Sequence, residues 1–280
     1  MLNRNVALVA DTKKITPSQL TKVAAALQKQ ATRDFSPLWN IEANVSGFAK
    51  LEDVPTDYWP VIVRDDINTP GAGGVHEDKN GQPFALVQFS NQWTLAASHE
   101  TLEMLADPFG NRLVAGKSPK PGQGRVNFLV EVCDPCEDQQ FAYTVNGVTV
   151  SDFYTPHFFD PVAASSIRYS YTGAVKGPRT ILSGGYLSWG VLQTNEWFQM
   201  TWLDTAKPDF RSLGVLSAKI TGSLRSTIDR LTPTPLETRK LPAKSPLMAA
   251  ARSAFNEVGN ACVARAKFLR KQIEEIKKAK

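Results

Sequence analysis

Apolar residues recur with two different spacings over the first 107 residues of the chain. After Thr16-Pro17, and again from residue 91 to residue 107, apolar residues recur every third or fourth position, as in an amphipathic helix. Four other segments are short apolar or alternating runs that predict strands, at residues 5–10, 39–48, 58–66 and 83–90. The predicted order of elements is therefore β-α-β-β-β-α.

Turn signals separate these runs and continue beyond them. A glycine-rich segment, residues 68–82, predicts a loop that contains His76 as a surface residue. A second polar loop is predicted at residues 112–125. The dipeptide Asn146-Gly147 predicts a two-residue hairpin turn, and short glycine-punctuated runs after it predict further strands.

The C-terminal part of the chain has a different composition. Residues 231–246 are rich in Pro and polar residues, and the apolar positions after them have helical spacing. We therefore predict an α+β fold with a mixed sheet, a β-rich part and a helical tail. The predicted boundaries are 1–205 for the body, with an N-terminal part at 1–110 and a β-rich part at 126–205, then 206–246 for a linker and 247–280 for a basic C-terminal helix.

Charge is distributed unevenly along the chain. The net charge is +5, but residues 219–280 contain 14 Lys or Arg and only 5 Asp or Glu. A basic tail of this kind can dock on an acidic protein or another acidic surface, although it is also typical of a solvated helix. Because no motif of a nucleic-acid-binding fold occurs outside the tail, nucleic acid is not expected as a partner.

The composition also predicts a compartment. No run approaches the roughly 20 apolar residues of a membrane span, and the first residues lack the apolar length of a signal peptide. Three cysteines, an odd number, do not suggest a disulfide framework. We therefore expect a cytoplasmic protein without a membrane span.

Candidate chemistry is concentrated in the second predicted helix, in the segment SHETLEMLADP. His99 and Glu103 are four residues apart and share one helical face, while Glu100 lies about 100° around the axis. This spacing suits one metal ion with Glu100 as the proton acceptor, as in the H-E-x-x-H zinc hydrolases. Glu103 replaces the second histidine, and a carboxylate is a permitted zinc ligand. In the alternative interpretation, both glutamates face solvent as ordinary helix residues.

Three segments, SHETLEMLADP, VEVCDPCED and VSDFYTPHFF, resemble a poorly characterised group of bacterial and phage proteins that are similar to zincin metallopeptidases. In zincins the active-site helix follows a β-α-β-β-β run, which is the order predicted here. The resemblance covers roughly the first 140 residues. It implies a zincin-like fold and a zinc peptidase with a peptide or protein substrate, which could pair with an edge strand around residues 84–89.

A zinc site needs a third protein ligand. The candidates that follow the helix are Glu131, Asp134 and Glu137, and then His157. We rank Glu131 first, Asp134 second, either as a ligand or as the group that holds His99, and His157 third. Zn²⁺ is the expected cofactor, and the carboxylates also permit another divalent metal.

Two other functions compete with hydrolysis. Cys133 and Cys136 have the C-x-x-C spacing of redox centres and of half a zinc site. A redox centre requires a helix that begins at the motif, whereas a hairpin is predicted after it, and a second cysteine pair is missing. The main alternative is therefore a zincin-like body without turnover, a structural or binding protein that docks through its basic tail.

Overall fold

The computed structural model describes residues 3–203, 205–216 and 222–232. Within these ranges the chain forms two five-stranded sheets, a two-stranded hairpin and four α-helices, together with short 3₁₀ and π-helical turns. The largest hydrophobic cluster takes residues from both five-stranded sheets, so the two sheets share one core. The predicted α+β class is confirmed.

The first sheet is mixed. Its strands are β1 (Arg4–Asp11), β2 (Ala43–Phe48), β3 (Tyr58–Arg64), β4 (Gly74–Lys79) and β5 (Gln82–Gln88). Their order is β2-β1-β3-β5-β4, in which only β4 is antiparallel to its neighbour. Strands in the middle are apolar on both faces because both faces are covered: Val6 and Leu8 belong to one cluster, and Ala7 and Val9 to another.

The helix after β1 begins as its sequence predicts. α1 (Pro17–Lys29) has Thr16 as its N-cap; the Thr16 hydroxyl accepts a hydrogen bond from the Gln19 N–H, and the Gln19 side chain accepts one from the Thr16 N–H. A π-helical turn (Gln30–Phe35) and α2 (Ser36–Trp39) continue the chain. The helical spacing places one apolar face of α1 in the core, at Leu20, Val23, Ala24 and Leu27.

The prediction of a loop at residues 68–82 is wrong for its second half. β4 forms there and pairs with β5 through the turn at Asn80-Gly81, where both residues have positive φ. Because β4 lies outside β5, the edge strand expected around residues 84–89 is internal, and the edge strand is β4. The segment GVHEDK has too few apolar positions to show an alternating pattern, as is common for edge strands.

α3 (Trp93–Ala106) follows β5 and ends before Pro108, as predicted. It is buried on most of its circumference, so it lies between other elements rather than at the surface. Ser98 connects it to two of them, because its hydroxyl donates a hydrogen bond to Gln30 Oε1 (2.8 Å) and accepts one from the Ser151 N–H (2.9 Å). The position of α3 is thus fixed by polar as well as apolar contacts.

The strands after α3 form the hairpin and the second sheet. They are β6 (Leu113–Lys117), β7 (Arg125–Leu129), β8 (Tyr143–Val145), β9 (Val148–Val150), β10 (Tyr186–Val191), β11 (Glu196–Thr201) and β12 (Asp209–Val215). The sheet is antiparallel, in the order β12-β11-β10-β7-β6. β8 and β9 pair around Asn146-Gly147, both with positive φ, which confirms that turn.

Two segments that were predicted as irregular contain regular structure. β6 lies within the predicted loop at 112–125, and β12 and α4 (Leu224–Leu231) lie within the predicted linker at 206–246. β6 and β12 are the two edges of their sheet, and half-exposed edge strands have a weak hydrophobic pattern. The predicted C-terminal helix, 247–280, lies outside the described residues. In the described ranges, no helix is both long and apolar enough to cross a bilayer.

Candidate metal centre

α3 carries three ionisable side chains into the interior. Glu103 is 0% exposed and Glu100 is 3% exposed, and the His99 side chain is 12% exposed. The interpretation in which both glutamates face solvent is therefore wrong. Since a buried carboxylate is costly without a compensating partner, this end of the core requires hydrogen-bond donors or cations.

The segment after β7 brings further acids to α3. It includes the 3₁₀ turn Asp134–Cys136, and both Glu131 and Asp134 are buried beside the helix. The Cys133 N–H donates a hydrogen bond of 3.1 Å to Glu103 Oε1. This bond fixes the orientation of the carboxylate. The other oxygen, Glu103 Oε2, faces the neighbouring ionisable groups, which together with Glu103 form the acidic cluster: His99, Glu131 and Asp134.

His99 Nε2 lies at the meeting point of these groups. It is 3.2 Å from Glu103 Oε2 and 3.2 Å from Asp134 Oδ1. Two ligands of a tetrahedral zinc ion, each at about 2.0–2.2 Å, are about 3.3 Å apart. Although the Asp134 oxygen is buried and close to the imidazole, it has no hydrogen bond within the described residues. Both carboxylates therefore face His99 Nε2, as ion-pair partners of a protonated imidazole or as potential ligands of an ion beside it.

Glu131 and Glu137 lie at the margin of this arrangement. Oxygens of Glu103, Glu131 and Asp134 are within 4.8 Å of one another, and so are the ligand atoms of His99, Asp134 and Glu137. Both predicted acids, Glu131 and Asp134, are thus part of the cluster. An arginine donates to both acids, but only Asp134 has an oxygen at 3.2 Å from His99 Nε2, so the geometry favours Asp134 over Glu131 as the third ligand.

His157, the third candidate, does not join the cluster. Its side chain is 53% exposed, and its Nδ1 pairs with Asp160 Oδ2 at 2.9 Å on the surface. The prediction of His157 as an alternative ligand is wrong because the 3₁₀ turn that carries it, Pro156–Phe159, buries Phe158 and leaves the imidazole outside.

His76, by contrast, is buried in the cluster and not on the surface as expected. It lies on β4 with a side chain that is 0% exposed, and its Nδ1 is 3.4 Å from Glu100 Oε2 and 3.6 Å from Glu103 Oε2. Burial would lower the pKa of His76, but Glu100 and Glu103 outweigh it and raise this pKa. A strand prediction for the segment GVHEDK would have placed His76 in the sheet, but the neighbouring glycines predict a loop there.

No pattern in the sequence indicated a role for Arg225 on α4. Its guanidinium is buried among the acids: Nη1 contacts Glu131 Oε2, and lies 3.2 Å from Glu103 Oε2 and 3.3 Å from Asp134 Oδ2. α4 is held in place by the Arg225 N–H, which donates to the Gly110 carbonyl at 3.0 Å. A Cβ at Gly110 would lie 2.9 Å from the Arg225 Cβ, so this close approach needs glycine.

The charges in the cluster are mutually dependent. Burial would raise the pKa of Glu103, but the charges of His99 and Arg225 outweigh it and hold this pKa well below its usual range. Burial would lower the pKa of His99, but Glu103 and Asp134 raise it well above its usual value. Burial raises the pKa of Asp134 to about 6 and that of Glu137 to about 8. Without a metal ion, the cluster therefore favours the charged form of both His99 and Glu103.

The two described cysteines are unsuited to redox chemistry in this state. Cys133 and Cys136 are buried free thiols, and burial raises the pKa of each thiol well above its usual value. Reactive cysteines have a lowered pKa and partial exposure. Cys133 nevertheless lies close enough to His99 and Glu103 to contribute a sulfur atom to the same group of potential ligands.

The donor set fits a divalent cation. The cluster combines an imidazole with several carboxylates, and polar atoms with no hydrogen-bond partner among the described residues are concentrated in it, at His76 Nδ1 and Nε2, Glu100 Oε2, Glu131 Oε1 and Asp134 Oδ1. Buried polar atoms without a partner indicate a bound ion or water at their site.

A comparison of the chain with protein-family models, with curated proteins and with solved structures finds no match.

Proposed function

We propose that this protein is a metal-dependent hydrolase, with Zn²⁺ as the expected ion and His99, Glu103 and Asp134 as its ligands. The observation that carries the proposal is the convergence of Glu103 Oε2 and Asp134 Oδ1 on His99 Nε2, at 3.2 Å each, in a buried cluster with unsatisfied polar atoms. Glu131 lies beside these ligands and is the next candidate.

The metal ion and the side chains of the protein contribute different parts of the hydrolysis at such a site. A bound divalent ion polarises a carbonyl group and lowers the pKa of water. Glu100 follows His99 on α3, so its carboxylate lies next to the ligands without sharing the His99–Glu103 face. In our proposal Glu100 accepts the proton of the attacking water and transfers it to the leaving group.

A peptide is the substrate class that we propose. The edge of β4 that faces away from β5 has no strand beside it among the described residues, and an extended peptide can add to such an edge by main-chain hydrogen bonds. β4 also carries His76, which contacts the cluster, so a peptide on this edge would lie close to Glu100. The resemblance of the α3 segment to zincin peptidases supports the same class.

A zincin-like body without turnover is the second candidate. One observation favours it: the Arg225 guanidinium already neutralises part of the acidic cluster, in contact with Glu103, Glu131 and Asp134. In that case the cluster is a structural ion network, and the basic tail is the docking element for an acidic partner.

Metal analysis combined with a peptidase assay separates the two candidates. We expect about one zinc ion per chain in the wild type and in Glu100→Gln, and a loss of about 10²–10⁴-fold in casein or peptide hydrolysis in Glu100→Gln only. Glu52→Gln, an exposed glutamate outside the cluster, is the matched control and should behave as wild type. Zinc without hydrolysis in the wild type would support the second candidate, and absence of metal in all three proteins would refute the metal site.

A further inference from the structure

Two residues of β4 reach the Glu100 side chain from the same face of the strand. Gly74 and His76 are two positions apart and pair with Val87 and Ala85 of β5, whose side chains belong to the core cluster that contains α3. Both β4 residues therefore face α3.

Gly74 leaves the space that Glu100 occupies. A Cβ at Gly74 would lie 2.6 Å from both Cγ and Oε1 of Glu100. Gly74 does not have positive φ, so this steric contact, and not backbone conformation, is what an alanine would change. The neighbouring Gly73 has no such contact, since a Cβ there would be 3.7 Å from the Ala96 Cβ, an ordinary van der Waals distance.

His76 faces the other oxygen of the same carboxylate. His76 Nδ1 lies 3.4 Å from Glu100 Oε2, which is within ion-pairing distance, and neither atom has a hydrogen bond to any other group within the described residues. A histidine that only fills space in a core would have its ring nitrogens satisfied, because buried polar atoms are costly when unpaired. In His76, by contrast, Nε2 has no hydrogen-bond partner within the described residues, and Nδ1 faces the carboxylates of Glu100 and Glu103.

We propose that β4 positions the general base: Gly74 defines the space for the Glu100 carboxylate, and His76 orients it through Nδ1. This inference rests on the proposed function. It also links the edge strand to the chemistry, because the strand on which a peptide would add is the strand that holds Glu100. In this inference Gly74 and His76 are positioning residues that act through Glu100. Potential ligand atoms of His76, Glu100 and Glu103 also lie within 4.8 Å of one another, so the test below includes a second ion as an outcome.

The steric part is tested with Gly74→Ala and the matched control Gly73→Ala, assayed as purified zinc-loaded proteins on the casein or peptide substrate. We expect Gly74→Ala to lower kcat by about 10²-fold or more with KM and zinc content unchanged, and Gly73→Ala to remain within about twofold of wild type. Equal kcat values for the two variants would overturn the inference while leaving the proposed function intact.

The His76 part is tested with His76→Asn and His76→Leu. Asn places an amide N–H near the position of Nδ1, so His76→Asn should recover at least about tenfold in kcat relative to His76→Leu. Two zinc ions per wild-type chain that fall to one in His76→Leu would overturn the inference, because His76 and Glu100 would then be ligands of a second ion.

An NMR measurement tests the contact between β4 and Glu100 even if the wild type does not hydrolyse the chosen substrate. The chain contains three histidines, so the ring ¹⁵N signals of metal-free protein can be assigned by single substitutions. We expect the Nδ1 signal of His76 to shift in Gly74→Ala and in Glu100→Gln and to stay unchanged in Gly73→Ala. An unchanged signal in the first two variants contradicts the contact between His76 and Glu100.

Discussion

Glu103 is the residue on which the cluster depends. One of its oxygens accepts the Cys133 N–H, and the other lies within 3.6 Å of nitrogens of His99, Arg225 and His76. A fully buried carboxylate remains ionised only if such donors and cations surround it. A divalent ion at this oxygen would compete with protonated imidazoles for the same negative charge.

Metal binding is therefore expected to release a proton from His99. The pKa of His99 is raised well above its usual value in the metal-free protein, and a metal ion binds only the neutral imidazole. The apparent zinc affinity should rise between pH 6 and pH 8, with one proton released from His99 and, near pH 6, a further fraction of a proton released from Asp134, whose pKa is about 6. Calorimetry in Pipes and in Hepes measures this release, and identical apparent enthalpies in the two buffers would contradict it.

At the scale of elements, α3 and α4 meet at the acidic cluster, although Glu103 and Arg225 are 122 residues apart in the sequence. α3 supplies His99 and Glu103, and α4 supplies Arg225, which also pairs with Asp229 one turn later at 2.9 Å. α4 is short, and its apolar contribution is a small cluster in which Ile228 packs with Leu129 and Trp197. The docking of α4 is thus coupled to the charge state of the cluster.

Replacement of Arg225 by Met should reveal this coupling. In metal-free protein we expect Arg225→Met to lower the free energy of unfolding by about 3–5 kcal/mol, because it leaves three buried acids without their shared cation. Saturating zinc should reduce this loss, since the ion compensates the same acids. Urea unfolding in EDTA and in zinc measures both values; an equal loss under the two conditions would show that Arg225 and the ion act at separate places.

For the whole molecule, the cluster lies where the two five-stranded sheets meet. α3 packs with the first sheet, whereas Asp134 follows β7 of the second, and both belong to one continuous core. An ion held by His99 and Asp134 would therefore connect the two halves of the fold, and its binding free energy would contribute to the stability of the whole domain.

Zinc should accordingly stabilise the entire chain. At a free concentration about 100 times Kd, the expected gain is about 2.7 kcal/mol, or on the order of 5–10 °C in Tm. Glu103→Gln keeps the side-chain volume and removes the charge, so zinc should not raise its Tm. Thermal unfolding with zinc and with EDTA provides the comparison, and a similar zinc-dependent shift in Glu103→Gln would place the ion elsewhere.

The sequence by itself determined the features that depend on near neighbours. The spacing of His99, Glu100 and Glu103, the capping of α1 by Thr16 and the Asn146-Gly147 turn each involve residues within about one helical turn or one hairpin. Local backbone geometry dictates such relations, so the periodicity and turn chemistry of the chain were sufficient to predict them.

Only the tertiary structure decided which distant residues complete the site. His76 lies on an edge strand whose residues do not alternate between polar and apolar. Asp134, and not the first-ranked Glu131, lies next to His99, and Arg225 lies in a segment that was predicted as a linker. The physical reason is that α3 sets the direction of its own side chains but not what packs against them. Those partners are selected by strand order and by the compensation of buried charge, which involve the whole chain.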